Sequence, residues 1–512
     1  MIMKKMLSSR NGIRGELAIG ACGWIGKIFC FVWVMILGSG VGFGEDRVWR
    51  LLAVGDSITQ GGSTFSNWRY DLWERLTAAG YRVRYVGSQV SGSRVGPLAH
   101  EGHGGKNAEF LAERLKGKAK EMAADVVLLH AGHNHFAEER PVTGIVAAHE
   151  SIIKSVREAN PRVTVLVAKV ITSSKLPKYG YLPELNEALV KMVKRMDTAE
   201  SRVRVVDQAS GFVPGKDTVA DGVHPNEAGA AKMAGRWNEA LREVLPKPNR
   251  DVRMPRLLPY KEVAGKPLML HVMVPPEGAG DAPAKGRPAI VFFFGGGWSS
   301  GTPLQYYEEC RHFSRMGWVA IAADYRIAAT HRSSPFDAVA DAKSAMRHVR
   351  AKAKELGVDA GRVVAAGASA GGHLAAATCL PGLDDAKDDL RVSARADALV
   401  LWYPVIDNGP GGYGHGRVGG RYVEISPIHN IGAGYPPTLV LLGTKDKYVP
   451  VETMDRFAEK VRSAGGRCEV KLFPGLGHPI YAWRDKGVDA LRAECLTAAE
   501  DFLGSVFPGA AD

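Results

Sequence analysis

A polar, proline-rich segment, Leu245-Pro246-Lys247-Pro248-Asn249-Arg250, interrupts a pattern that runs through the chain on both sides of it. On each side, short apolar runs alternate with amphipathic stretches. Such alternation calls for a largely parallel sheet with helices packed on its faces. Upstream, strands are predicted at Arg50–Val54, Val83–Val86, Val126–His130 and Val163–Val170. Helices are predicted at Trp68–Ala79, stopped by Gly80, and at Ile145–Ala159, Pro183–Met196 and Asn226–Val244. Downstream, strands are predicted near Pro267–Val274, Ala289–Phe294, Val319–Ala323, Val363–Ala366, Ala398–Trp402 and Thr438–Leu442, with a helix over Asp337–Arg350. No internal repeat relates the two halves. At 512 residues the chain exceeds one ordinary core, so two unlike α/β domains in series are expected, over 45–245 and 257–508 with 246–256 as linker.

Residues 1–44 read differently. Lys4, Lys5, Arg10, Arg14 and Lys27 precede the apolar run Ile28–Leu37, and small residues lead to Gly44. That is the order of a secretory signal peptide, cleaved near Glu45, and it makes the protein secreted or periplasmic. The run is short for a membrane span, and an uncleaved anchor is the alternative. Ile19-Gly20-Ala21-Cys22 resembles a lipobox but precedes the apolar run. After cleavage no stable membrane association is expected. The net charge of +12 is spread without a basic run or interleaved aromatics, which excludes nucleic acid as the expected partner. Of six cysteines, Cys310, Cys379, Cys468 and Cys495 lie beyond the signal. Export would permit disulfides, in any of three pairings, and buried free thiols are the alternative.

Two sets of residues carry chemistry. In the first half, Ser57 follows an apolar strand within Gly55-Asp56-Ser57-Ile58, and Asp221-Gly222-Val223-His224 lies near the end of that half. A serine hydroxyl needs a base to take its proton, and the base needs an acid to orient it. An Asp-x-x-His offset in a tight loop can supply both. Gly105 and Asn134 are candidate donors to an oxyanion. On these motifs, residues 47–245 resemble the SGNH (GDSL-type) hydrolases, which implies a flavodoxin-like three-layer domain. The resemblance makes Ser57 the nucleophile, with its own N–H in the oxyanion hole beside Gly105 and Asn134, and Asp221 and His224 the remaining pair. The family's usual aspartate after the asparagine is replaced by His135.

In the second half Gly-x-Ser-x-Gly occurs twice, at Gly297–Gly301 and Gly367–Gly371. With 60 glycines in the chain, chance alone supplies about 0.4 matches, so context must decide. Ser369 follows the strand Val363–Ala366 and precedes a run of small residues, as a nucleophile elbow requires. Ser299 overlaps Phe294-Gly295-Gly296-Gly297 and reads as a loop residue, with the glycine amides free to serve an oxyanion. Asp446 and His478 each follow a later strand, giving the order Ser, Asp, His. Asp407 is the reserve acid, and His373 and His429 read as structural. Residues 255–507 resemble the α/β-hydrolases of the acetyl-esterase and hormone-sensitive-lipase type. That resemblance implies Ser369, Asp446 and His478 as catalytic residues, with Gly296, Gly297 and Ala370 as the oxyanion hole. Phe294 stands where those relatives carry histidine.

No phosphate loop, dinucleotide fingerprint or metal-ligand cluster occurs, so neither cofactor nor metal is expected. The resemblances together imply a bifunctional carboxyl-ester hydrolase acting on an acetylated polysaccharide or oligosaccharide, as an acetylxylan esterase does. The Gly-rich, polar stretch between Trp402 and Pro436 offers no apolar lid and favours a small acyl group. Two alternatives use the same residues: one domain inactive and binding glycan, or acyl transfer between sugars. Lipase or peptidase activity is a further alternative.

Overall fold

The computed structural model describes residues 47–62, 64–91, 98–248, 254–276, 283–480 and 488–508. The segment read as a secretory signal, residues 1–44, lies outside them. Among the described residues no helix is long and apolar enough to cross a membrane.

The first half builds a sheet from β1 (Trp49–Gly55), β2 (Val83–Val86), β3 (Gln89–Ser91), β4 (Leu98–Gly102), β5 (Val126–His130), β6 (Thr164–Lys169) and β7 (Val203–Asp207). β1 pairs with β2 and β4 on one side and with β5 on the other, and β6 and β7 follow. All these ladders are parallel, and only β3 runs antiparallel, against β4. The order β2-β1-β5-β6-β7 is the flavodoxin-like one. Alternate side chains enter different cores. Leu52, Val54, Val127, Leu129, Val165 and Val167 join one cluster, while Leu51, Ala53, Val126, Leu128, Leu166 and Ala168 join the other. A strand buried on both faces in this way is the centre of a three-layer domain, which explains its unbroken apolar sequence.

Local chemistry sets the helix ends. Asn67 caps the helix Trp68–Ala78 by accepting from the Arg69 amide, and Asn226 caps Glu227–Val244 through the Gly229 amide. In the second half, Ser334 and Asp337 form a reciprocal capping box on Pro335–Ala351, with proline in the first turn.

The second sheet contains β8 (Arg256–Val263), β9 (Lys266–Met273), β10 (Arg287–Phe293), β11 (Val319–Ala323), β12 (Val358–Ala368), β13 (Ala398–Trp402), β14 (Thr438–Gly443) and β15 (Cys468–Phe473). Its order is β15-β14-β13-β12-β10-β11-β9-β8. Six strands are parallel, and β9 runs antiparallel to both β11 and β8. Both halves are thus α/β domains of the expected classes.

Among the strands that escape an apolar-run reading, β4, β7 and β8 do so for a visible reason. β4 carries His100 and Glu101, both fully buried, with Glu101 held by Arg114 at 2.7 Å and His103 at 2.8 Å. β7 exposes Arg204 at the sheet edge. β8 begins at Arg256, inside the segment read as linker, and its Pro259 sits beside a register shift on an edge strand, where a missing N–H costs little.

Cys310, Cys379, Cys468 and Cys495 are all free and buried, so the disulfides that export would permit do not form. Burial also raises the thiol of each. A thiol reagent should therefore label none of the four in the native protein and all four after denaturation without reductant. Fewer than four under denaturing conditions would reveal a disulfide.

Candidate active sites

In the first domain the loops that leave β1, β5 and β7 meet at one edge of the sheet. Ser57 opens the short helix Ser57–Gln60 just past β1. Its Oγ lies 2.8 Å from Nε2 of His224, and Nδ1 of His224 lies 2.5 Å from Asp221 Oδ2. The other carboxylate oxygen, Oδ1, accepts from the amides of Val223 and His224 at 2.8 and 2.9 Å. Burial works to raise the Asp221 carboxyl, but these donors hold it below the usual carboxylate range, so it stays an anion beside the imidazole. Phe65 stacks on the opposite side of this set, its ring 4.2 Å from that of His224.

Gly105 and Asn134, the other expected donors, are held in two different ways. The Gly105 amide has no acceptor among the described residues, and a side chain there would meet open space. Asn134 adopts a left-handed backbone and donates one amide hydrogen to Lys106 O at 3.0 Å, which ties its loop to the 103–107 turn. The Ser57 amide, at the first position of its helix, likewise has no protein acceptor among the described residues. His135, in place of the family's aspartate, is held away by Glu109 and Glu139, each at 2.9 Å.

Sequence reasoning missed the support of this site. Arg69 is fully buried and has backbone carbonyls as partners: Thr59 at 2.7 Å, Gln60 at 2.9 Å and Leu98 at 3.3 Å. It thereby clamps the turn after Ser57 onto β4. A buried arginine inside an amphipathic helix gives no sequence signal of that job. Asp56 is also buried; Oδ1 caps the Ile58 amide, whereas Oδ2 has no partner among the described residues and lies 3.8 Å from His133 Nδ1.

In the second domain the same kind of edge gathers the loops after β10, β12, β14 and β15. Ser369 has φ of 55° and ψ of −120°, a conformation strained for a residue with a Cβ. It is held there by two glycines whose backbones crowd the neighbouring strand. A methyl on Gly371 would lie 1.9 Å from Phe293 O, and one on Gly367 would lie 2.5 Å from the Gly371 backbone. The pattern Gly-x-Ser-x-Gly is therefore a steric requirement here. Ser369 Oγ lies 2.9 Å from His478 Nε2, and His478 Nδ1 lies 2.7 Å from Asp446 Oδ2. Asp446 Oδ1 accepts from the Tyr448 and Val449 amides at 2.8 and 3.0 Å. Asp407, the reserve acid, instead caps the Gly409 amide and faces Arg456.

Gly295, Gly296 and Gly297 line one cavity of about 320 Å³ with Ser369 and His478. The amides of Gly296, Gly297 and Ala370 have no acceptor among the described residues. Arg417 pins the glycine loop by donating to Gly297 O and, at 3.1 Å, to Ser299 Oγ. Trp298 anchors it from beneath by donating to His373 Nδ1 at 3.3 Å. His373 in turn bonds Ile425 O, and His429 bonds Ser426, so both histidines serve the scaffold. Phe294 stacks on Tyr325 at 4.0 Å, whose hydroxyl donates to Phe294 O; the stack supports the loop from the core.

Two outcomes follow for these sites. Gly371→Ala should destabilise the second domain by several kcal/mol or abolish its activity, because the methyl meets backbone that cannot yield; a variant of native stability and activity would refute the steric account. Burial raises the Asp56 carboxyl to about 6, against a bond from the Ile58 amide that lowers it. A carboxyl raised on folding favours the folded state fully below its unfolded value near 3.8, and that advantage is lost as pH rises through 6. Asp56→Asn should therefore gain stability over wild type as pH rises from 4 to 7, by about 3 kcal/mol at most, in thermal unfolding. A pH-independent difference would contradict it.

Comparison with known proteins agrees with this division. Residues 53–232 match the GDSL-like lipase/acylhydrolase family, and residues 290–417 match the α/β hydrolase fold. Esterase LipC of Mycobacterium tuberculosis is 31% identical over 39% of this chain and 54% of that protein. An acetylxylan esterase of Xylanibacter ruminicola is 26% identical over 37% of this chain and 40% of that protein. The chain spans about half the length of the first curated relatives it matches. Among solved structures, the apo form of Thermogutta terrifontis esterase 2 is 41% identical, over 50% of this chain and 96% of that one, with a TM-score of 0.47. The chain is a GDSL-like lipase/acylhydrolase domain followed by an α/β-hydrolase domain.

Proposed function

We propose that this protein hydrolyses carboxylic esters at two independent serine sites, and that its substrates are acetylated polysaccharides or oligosaccharides met outside the cytoplasm. The observation that carries the reading is the repeated geometry: a serine Oγ within 2.9 Å of a histidine whose other nitrogen is held by a carboxylate, once in each domain. In each site the histidine would take the serine proton as Oγ attacks the ester carbonyl. The oxyanion would be met by amides preorganised in the fold: Ser57 and Gly105 with the Asn134 side chain, or Gly296, Gly297 and Ala370. The protonated histidine would then return its proton to the departing alcohol. Water, activated by the same histidine, would release the acid and free the serine.

Carbohydrate as the alcohol and acetyl as the acyl group are supported by three features. The match to an acetylxylan esterase, at 26% identity, is one. A polar groove of about 670 Å³ beside the first site is another; Gln60, Phe65, Tyr70 and Glu227 line it, and Phe65 reaches back to His224. The small cavity at Ser369, walled by Tyr403, Tyr413 and Tyr448, is the third. Aromatic rings among polar groups suit sugar faces and hydroxyls. The signal-like first 44 residues support export.

Acetate release from acetylated xylan and from a small acetyl ester should be compared in wild type, Ser57→Ala, Ser369→Ala and the double variant. Each single variant should lose a distinct share of activity, by 10³-fold or more for its own site, on the order expected for removal of a triad member. The double variant should be inactive. A single variant matching wild type on every ester would assign its domain another role, and residual acetate release by the double variant would refute both nucleophiles.

A further inference from the structure

The wall of the Ser369 cavity is not built by the second domain alone. Arg84, on β2 of the first domain, lines it together with Gln305, Glu309 and Arg492 of the second. Arg84 is 9% exposed, and its two terminal nitrogens reach both carboxylate oxygens of Asp489 across the junction between domains. Arg82 pairs with Glu308 at 2.6 Å beside it, and Leu304 packs against the apolar clusters of both domains. The junction therefore holds Arg84 in a fixed place in the cavity wall.

The charges around it are unequal. Among the described residues two guanidiniums, Arg84 and Arg492, line the cavity beside one carboxylate, Glu309, which is 2% exposed and lies 3.3 Å from Arg492. Burial pushes the Glu309 carboxyl upward, against the opposing pull of Arg492. Asp489, the acid that pairs with Arg84, does not line the cavity and has its side chain 63% exposed, so it competes for the Arg84 guanidinium without occupying the cavity. A cavity wall in which guanidiniums outnumber carboxylates attracts an anion, and a planar fork matches a carboxylate.

We propose that Arg84 makes the Ser369 site a two-domain site that selects esters whose alcohol carries a carboxylate, such as an O-acetylated uronic acid residue. The inference rests on the ester-hydrolase reading above. Acetyl itself has no place for a second charged group, so the anionic group belongs to the alcohol. Arg84 would bind that carboxylate while the neighbouring tyrosines pack against the ring.

The test uses the full chain in a Ser57→Ala background, so that only the second site turns over. The probes are 4-acetoxybenzoate and its neutral methyl ester, which share an acetyl group and differ by one charge. The readout is the ratio of kcat/KM for the anionic over the neutral probe. Arg84→Gln should lower that ratio about tenfold or more, through KM for the anion, as expected for one lost charge-assisted bond. Arg84→Lys should restore part of it. Asp489→Asn keeps Arg84 but removes its competing carboxylate, so the ratio should rise. That opposite sign separates recognition from simple damage to the junction, and it decides the matter even if Arg84→Gln fails to fold. A ratio unmoved by Asp489→Asn, or lowered by it, overturns the inference. Turnover of the neutral probe without the anionic one overturns it while leaving the esterase reading intact. Turnover of neither probe overturns both.

Discussion

Parallel strands all end on the same edge of a sheet, and both candidate sites depend on that constraint. In the first domain it brings Ser57 after β1, Asn134 after β5 and the Asp221–His224 loop beyond β7 into one place, across 167 residues between serine and histidine. In the second it gathers Gly295–Gly297 after β10, Ser369 after β12, Asp446 after β14 and His478 after β15. No local contact could hold these groups together. The sheets can, because their central strands are buried on both faces, and in the first domain their side chains alternate between two cores.

The two sites solve one chemical problem by different local means. Ser57 sits at the start of a four-residue helix whose turn is clamped by the buried Arg69. Ser369 is instead forced into a left-handed backbone by close packing of Gly367 and Gly371 against β10. The donors differ accordingly. On the proposed mechanism the first site would combine amides with the Asn134 side chain, whereas the second would use a glycine loop pinned by Arg417 and Trp298.

Much of this was legible in the residues. Alternating apolar runs located most strands because their burial on both faces leaves no polar positions. Ser57, Asp221 and His224 stood out through their placement near strand ends, as did Ser369, Asp446 and His478. What stayed hidden was long-range and polar. β4 is a fully buried strand whose His100 and Glu101 hide it from any hydropathy reading. Arg69 and Arg84 look like ordinary surface arginines in sequence, and their partners lie 9 to 405 residues away. Trp298 and Tyr413 gain meaning only when the loop around 410–425 folds over the glycine turn. The disulfides that export would permit are absent among the described residues, where the four cysteines are each buried in packed apolar surroundings.

The central claim is that one chain carries two independently reactive serines. A fluorophosphonate ester reacts with a serine only where a neighbouring base and an oxyanion site activate it, and the adduct can be counted by intact mass and located by peptide mapping. The account predicts two adducts per chain, on Ser57 and Ser369, with one adduct on either serine-to-alanine variant and none on the double variant. A single adduct on the folded wild-type chain at saturating reagent, or an adduct that survives the double substitution, would contradict it.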